Sequence, residues 1–347
     1  MTEHGRALGS GDPAAWFEGR LATGLLEVTA DPAALDSDGW WAVVLSYEGR
    51  LTAARFARVE RAPLPWGRWP GVEPAAWRSS TDRVDYMAGV EAIRSRIASG
   101  EVYQANLCRV LSAPLPPGSD VAGLAGLLAQ GNPAPYGGFV RLPDHGVHVA
   151  TASPELFLRR GSPDGRVVES GPIKGTGRTA ADLLPKDEAE NVMIVDLVRN
   201  DLSRVCVPGS VTVPSLLALQ EHPGLVHLVS TVRGELVPGM GWADLLAAAF
   251  PPGSVTGAPK SSALRVIADL EATSRGMYCG AVGWVDAGSR TGCLAVAIRT
   301  FWADAAGTLR FGTGAGITWG SDPYGEWAET ELKAARLLAV AAEEAHG

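Results

Sequence analysis

The chain has 347 residues, 46% of them hydrophobic and 20% charged, with a formal net charge of -8. That length is ample for a large buried core, in one large α/β domain or in two domains. The acidic balance speaks against nucleic acid or an anionic membrane as a main partner, so an anionic ligand would need a local basic pocket or a metal. The longest apolar runs, such as Leu245 to Phe250, are far too short to span a bilayer, and Met1 to Ser10 lacks the apolar core of a signal peptide. Cys108, Cys206, Cys279 and Cys293 sit in apolar stretches without C-x-x-C spacing. They read as buried free thiols in a reducing cytosol, and a cytoplasmic location is expected.

Along the chain, residues 1–80 are rich in Ala, Pro, Trp and Arg and form a short N-terminal region expected to pack on a main domain of residues 81–347. Trp40 to Val59 reads as a hairpin turning at Glu48-Gly49, and Arg61 to Trp77, with four prolines, reads as a connector. Met87, Val90, Ile93 and Ile97 give Asp82 to Ser99 a helical spacing that Gly100 ends. A strand pattern follows from Val102 to Leu111. Further strands are expected at Gly138–Leu142, Val147–Ala150, Leu156–Arg159, Val226–Leu236, Cys279–Val285, Cys293–Phe301 and Leu309–Thr313. Helices are expected at Asp187–Asp201, Trp242–Ala249, Ser261–Thr273 and Pro323–Ala345. Many strands with hairpin-length links predict an α+β fold: large antiparallel β-sheets in a sandwich with outer helices.

Several constellations admit two readings from the residues alone. Asp196 is the one polar residue of the stretch Val192 to Val198, which reads as a buried helix, so Asp196 should pair with Arg199 or Asn200. Asp187 and Glu190 have capping-box spacing, yet Glu190 also suits a metal or catalytic role. Asp322 and Pro323 open the last helix, and Glu326, Glu329 and Lys333 share one face of it. Those acids suit the helix dipole, and Glu329 to Lys333 is a favourable ion pair. With Glu190, they equally suit an oxygen-rich magnesium site. Lys174 lies in the glycine-rich run Gly171 to Gly177, read as a tight turn. It is either a solvated charge or part of an anion cradle. His227, within a strand pattern, reads as a core histidine. Phosphate-loop, dinucleotide, zinc and G-x-S-x-G spacings are all missing.

In order along the chain stand SGEVYQANL from Ser99, TASPELFL from Thr151, SGPIKGTGR from Ser170, AENVMIVDLVRNDLSRV from Ala189, VHLVSTVRGEL from Val226, FPPGSVTGAPK from Phe250, YCGAVGW from Tyr278, AIRT from Ala297 and GAGITWGSDPYGEWAETELKAARLL from Gly314. Together they resemble the chorismate-utilizing enzymes, which include anthranilate, aminodeoxychorismate, isochorismate and salicylate synthases. The resemblance covers roughly residues 85–345. It implies a sandwich of antiparallel sheets with the active site between them. It also implies Mg2+ held by Glu190, Glu326 and Glu329 on the ring carboxylate of chorismate. By the same resemblance, Arg299 and Tyr278 meet the enolpyruvyl group. Gly175, Thr176 and the run Gly314, Ala315 and Gly316 contact substrate. Glu155 exchanges protons at the departing 4-hydroxyl, His227 lies near it, and Lys333 lies near the metal and carboxylate.

Two positions sort the members. Relatives that add water carry a lysine base where this chain has Gln104, and anthranilate synthases carry alanine where it has Lys174. The resemblance therefore implies amination of chorismate to 4-amino-4-deoxychorismate, with Lys174 as covalent nucleophile. The ammonia would come from a separate glutamine amidotransferase subunit, because no G-x-C-x-G-x-Q nucleophile turn is present. The alternatives are anthranilate synthase component I, an aminodeoxyisochorismate synthase, and, in another class, a non-catalytic chorismate-binding subunit. Gly177-Arg178-Thr179 departs from the family's usual T-x-P-R continuation. The product could feed folate through 4-aminobenzoate or a specialised pathway, and both stay open.

Overall fold

The computed structural model describes residues 9, 11–161, 164–177, 179, 185–222 and 225–345. The N-terminal strands are β1 (Ala14–Phe17), β2 (Arg20–Thr29), β3 (Trp40–Leu45) and β4 (Leu51–Arg61). After the proline-rich connector come β5 (Arg78–Ser79), α1 (Arg83–Ala98), β6 (Gln104–Pro114), α2 (Val121–Gly131), β7 (Tyr136–Leu142), β8 (Val147–Ser153) and β9 (Leu156–Gly161). The middle holds β10 (Val167–Gly171), β11 (Ile173–Gly177), α3 (Pro185–Ser203), β12 (Thr212–His222), β13 (Leu225–Glu235) and α4 (Trp242–Ala249). The chain closes with β14 (Gly257–Ala258), α5 (Lys260–Leu270), β15 (Ala281–Asp286), β16 (Thr291–Val296), β17 (Thr300–Ala303), β18 (Thr308–Ile317) and α6 (Pro323–Ala341).

The fold is α+β, and among the described residues its strands join one antiparallel, curled sheet. One run passes through β6, β18, β17, β8, β7 and β1. From β1 the sheet continues through β2, β4, β3, β15, β16, β9, β10 and β13. The first strands are thus woven into the main sheet: β1 lies against β7, and β3 against β15. All six residues of β3, Trp-Trp-Ala-Val-Val-Leu, are buried, as a strand covered on both faces requires.

Local chemistry sets the helix ends. The Asp82, Asp120 and Asp322 side chains accept N–H bonds at the starts of α1, α2 and α6, each satisfying a donor the helix leaves unpaired. Asp120 also pairs with Arg141, both buried, and Arg141 donates to the Asp12 and Gly9 carbonyls, tying down the N-terminal segment. Three cores result: a large one around β3, β15 and α4, one around α2 and the C-terminal half of α6, and one between α1, α5 and the start of α6.

Three expectations need correction. α3 begins at Pro185, so Asp187 lies inside the helix and does not cap it with Glu190. That helix is not buried all round: Ile194, Val195, Val198 and Leu202 are buried, whereas Val192 is exposed and Asp196 pairs with Arg199 in solvent at 2.8 Å. One face meets the sheet, and Asp196 escapes desolvation on the other. The strand expected at Cys293–Phe301 splits into β16 and β17, interrupted where Arg299 takes a φ of 52°.

Candidate active site

Residues 171–177 are strand and not the expected tight turn. Only Pro172 separates β10 from β11. The register of β11 on β13 slips between Ile173 and Thr176, and Gly175 has a φ of 80°. This is a bulge, which re-aims a side chain out of the ladder. Lys174, half-buried, stands in it. The backbone of Thr176 lies opposite His227 of β13, which is buried. The side chain of Thr176 lies outside the described residues.

Glu155 sits at the turn between β8 and β9. Its backbone is pinned by the Ser153 hydroxyl and by Val296, whose N–H donates to the Glu155 carbonyl at 3.0 Å. The residue is 4% exposed. Burial pushes its pKa up to about 7, against the opposing pull of a hydrogen bond from the Ser254 hydroxyl, the Lys174 charge, the Ile173 N–H and the Arg299 charge. Arg299 is in turn pulled down by its own burial, with Glu155 opposing. The fold therefore gathers Glu155, Lys174, Arg299 and Ser254 into one cluster from four separate segments. A carboxyl able to hold or release a proton near neutrality, beside an amine and a guanidinium, suits acid–base work on an anionic ligand.

A second cluster lies on α6 and β18. Gly314, Ala315 and Gly316 pair with Cys108, Leu107 and Asn106 of β6. Lys333 donates to the Gly314 carbonyl at 3.0 Å and lies 2.6 Å from Glu329. Glu326, two turns before Lys333 on the same helix, is buried. The Tyr86 phenol, donating to the Leu107 carbonyl at 3.0 Å, is held well above its usual range by burial and then by Cys108, Glu326 and Glu329, so both glutamates stand around it. Tyr278 is buried against Gly312, where an added Cβ would fall 2.0 Å from the tyrosine ring, so only glycine fits there.

Magnesium takes one or two carboxylates and completes its octahedron with water and ligand oxygens. Glu326 and Glu329, an i, i+3 pair on α6, suit that demand. Glu190 is half-buried on α3. Among the described residues no group of three or more His, Cys, Asp or Glu is arranged to hold a metal. An ion at the α6 pair would thus depend on oxygens from a bound ligand.

Sequence reasoning assigned no role to Ser254, although it lies in the motif FPPGSVTGAPK; a small hydroxyl in a Gly/Pro loop was the available signal. Gln104 is 1% exposed, and its side-chain oxygen has no hydrogen-bond partner. Its Nε2 lies 2.2 Å from where a Cβ on Gly316 would fall. No helix of the described residues is long and apolar enough to cross a membrane.

Comparison with known proteins identifies the family. Residues 56–339 match the family described as chorismate binding enzyme. Aminodeoxychorismate synthase component 1 of Klebsiella aerogenes is 35% identical over 319 residues, covering 86% of this chain and 68% of the relative. Anthranilate synthase component 1 of Haloarcula marismortui is 37% identical over 349 residues, covering 96% of this chain and 69% of the relative. The chain thus spans about two thirds of the length of both relatives. Among solved structures, a 2,3-dihydroxybenzoate-specific isochorismate synthase of Bacillus anthracis superposes with a TM-score of 0.78 at 25% identity, covering 96% of each chain. By its ordered motifs, its curled antiparallel sheet and its match over residues 56–339, this chain belongs to the chorismate binding enzyme family.

Proposed function

We propose that the chain aminates chorismate to 4-amino-4-deoxychorismate, using ammonia supplied by a separate glutamine amidotransferase subunit. The observation that carries this reading is the cluster of Lys174, Glu155 and Arg299, with Gln104 at the position where water-adding relatives keep a lysine. The likeness to aminodeoxychorismate synthases supports it.

In this reading Arg299 holds the enolpyruvyl carboxylate beside Tyr278, and Gly175, Thr176 and the run Gly314 to Gly316 line the ring and its substituents. His227 stands near the leaving group. The Lys174 amine attacks carbon 2 of the ring, both double bonds of the ring diene shift around the ring, and the bond from carbon 4 to its hydroxyl breaks. Glu155 gives that oxygen its proton, so water leaves. Ammonia then adds at carbon 4, the double bonds shift back, and the Lys174 amine departs. Two easier displacements replace one hard one. A magnesium ion held by Glu326 and Glu329 would neutralise the ring carboxylate; Glu190, expected to join them, is not grouped with that pair among the described residues. Lys333 adds a further positive charge there. The four free, buried cysteines suit a reducing, cytoplasmic setting.

The second reading is anthranilate synthesis, favoured by the Haloarcula relative. Incubating the purified chain with chorismate, magnesium and ammonium separates the two by product mass. The proposal expects a product that has exchanged hydroxyl for amine and kept its enolpyruvyl group. Release of pyruvate would favour the second reading.

A further inference from the structure

A small cavity lies beside Glu155. Its volume is about 20 Å3, room for one water molecule, and its polar lining is Glu155, Ser254, Ser170 and Asp201. The rest of the wall is apolar, from residues such as Val198 and Phe157. Neither Lys174 nor Arg299, the charged groups that face Glu155, is among the residues lining it. The cavity therefore adjoins Glu155 without those two charged groups in its wall.

Another part of its lining is ion-paired. Asp201 of α3 is 6% exposed and pairs with Lys260, the first residue of α5, at 2.6 Å. Lys260 also donates to the Ala249 carbonyl at 3.0 Å, and its side chain keeps 18% exposure, so the pair reaches from the cavity wall to solvent. Burial raises the proton affinity of the Asp201 carboxyl, while Lys260, Arg204 and Asn200 oppose it.

We propose that Asp201 is the outer station of a proton path that reloads Glu155 from solvent through one water held in this cavity. The inference rests on the proposed amination, which creates the need for such a path. Ammonia enters neutral and the product amine leaves protonated, so each turnover consumes one proton. Glu155 gives that proton to the departing hydroxyl, the carbon–oxygen bond breaks with its electron pair going to water, and a carboxylate remains. Substrate and ammonia occupy the side facing Lys174. On the other route Asp201 takes a proton from solvent and passes it to the cavity water. That water gives one of its own to Glu155. Asp201 touches no substrate in this scheme and acts through Glu155.

The test uses Asp201→Asn, which keeps the shape and removes the proton acceptor. A second variant, Ser170→Val, fills the cavity without touching the ion pair. Chorismate consumption is followed in H2O and D2O, with melting temperature as a fold control. Both variants should lose roughly a hundredfold or more in kcat, the scale of a single proton-transfer contribution. Both should also gain a solvent deuterium isotope effect on kcat that the wild type lacks, with KM for chorismate unchanged. If Asp201→Asn fails to fold, Ser170→Val decides alone. Wild-type kcat and isotope effect in a folded variant would overturn the path, and so would a slower kcat without the isotope effect, which marks a merely structural role. Product identity is read on the same samples. A product without nitrogen at carbon 4 would defeat the amination reading while leaving the isotope result to judge the path.

Discussion

Lys333 and Glu329 lie 2.6 Å apart on one face of α6, and the same lysine donates to the Gly314 carbonyl. Both side chains are about half exposed, 50% and 44%. A pair so open to solvent contributes at most about 1 kcal/mol to the fold. Its value is therefore expected in the ligand-bound state. Lys333→Met should leave the melting temperature almost unmoved and raise KM for chorismate, an effect that grows as salt is lowered. An unchanged KM at low salt would remove Lys333 from the substrate site.

Magnesium is the companion prediction. A dianionic substrate meeting two glutamates on an acidic protein is repelled unless a cation intervenes. Excess chelator should stop turnover, added magnesium should restore it, and Glu329→Gln should abolish activity while the circular dichroism spectrum persists. Full turnover in excess chelator would count against the whole acidic site.

The Glu155 carboxyl gives a signed pH prediction. Its pKa rises from 4.5 to about 7 on folding. A raised value means the folded state favours the protonated form. Its stabilising contribution is complete below about 4.5 and is lost as pH rises through about 7. Glu155→Gln escapes that loss, so it should gain stability over wild type by an amount on the order of 3 kcal/mol at alkaline pH, with little difference in acid. Its activity should collapse. Wild-type kcat/KM should fall about tenfold per pH unit on the alkaline side, as the acid form is titrated away. Parallel stability curves for wild type and variant across this range would contradict the assignment.

For Lys174 the question is nucleophile or clamp. A nucleophile replaced by arginine keeps its charge and loses nearly all activity, whereas a clamp retains much of it. Lys174→Arg should be almost inactive. Wild-type protein given chorismate without ammonium should carry an adduct on the Lys174 peptide, lighter than intact chorismate by one water. An active arginine variant with no adduct would make direct attack by ammonia the better mechanism.

Away from the site, Asp120→Ala should destabilise the chain by about 3–5 kcal/mol, because it strands the buried Arg141 charge. Chemical denaturation measures this directly, and a loss below about 1 kcal/mol would show that water reaches Arg141.

Much of the fold was legible in the residues. Val90 and Ile93 of α1 are buried, as their spacing predicts. Pro323 and Asp322 likewise begin α6. What escaped had no periodicity to read. α2 is small and apolar all round, with Val121 through Leu128 buried, so no polar face marks it as a helix. β12 carries exposed Leu216 and Leu219 and two register slips, which break the alternation of a strand. Residues 171–177 read as a turn for their glycines, yet pairing with β13 overrides that preference. At the site, the ordered motifs pointed to Glu155, Lys174 and Arg299. The partners that set their chemistry come from distant segments: Ser254 on Glu155, and Lys260 on Asp201, 59 residues away. No local pattern encodes such meetings.

In the proposed reaction nitrogen enters at carbon 4 of chorismate. Mass alone does not distinguish this from amination at carbon 2. The decisive measurement is turnover of chorismate with magnesium and nitrogen-15 ammonium, followed by NMR of the product to locate the labelled nitrogen. The label should couple to carbon 4, with the enolpyruvyl ether intact. Label at carbon 2, or label in an aromatic amine with pyruvate released, would contradict it.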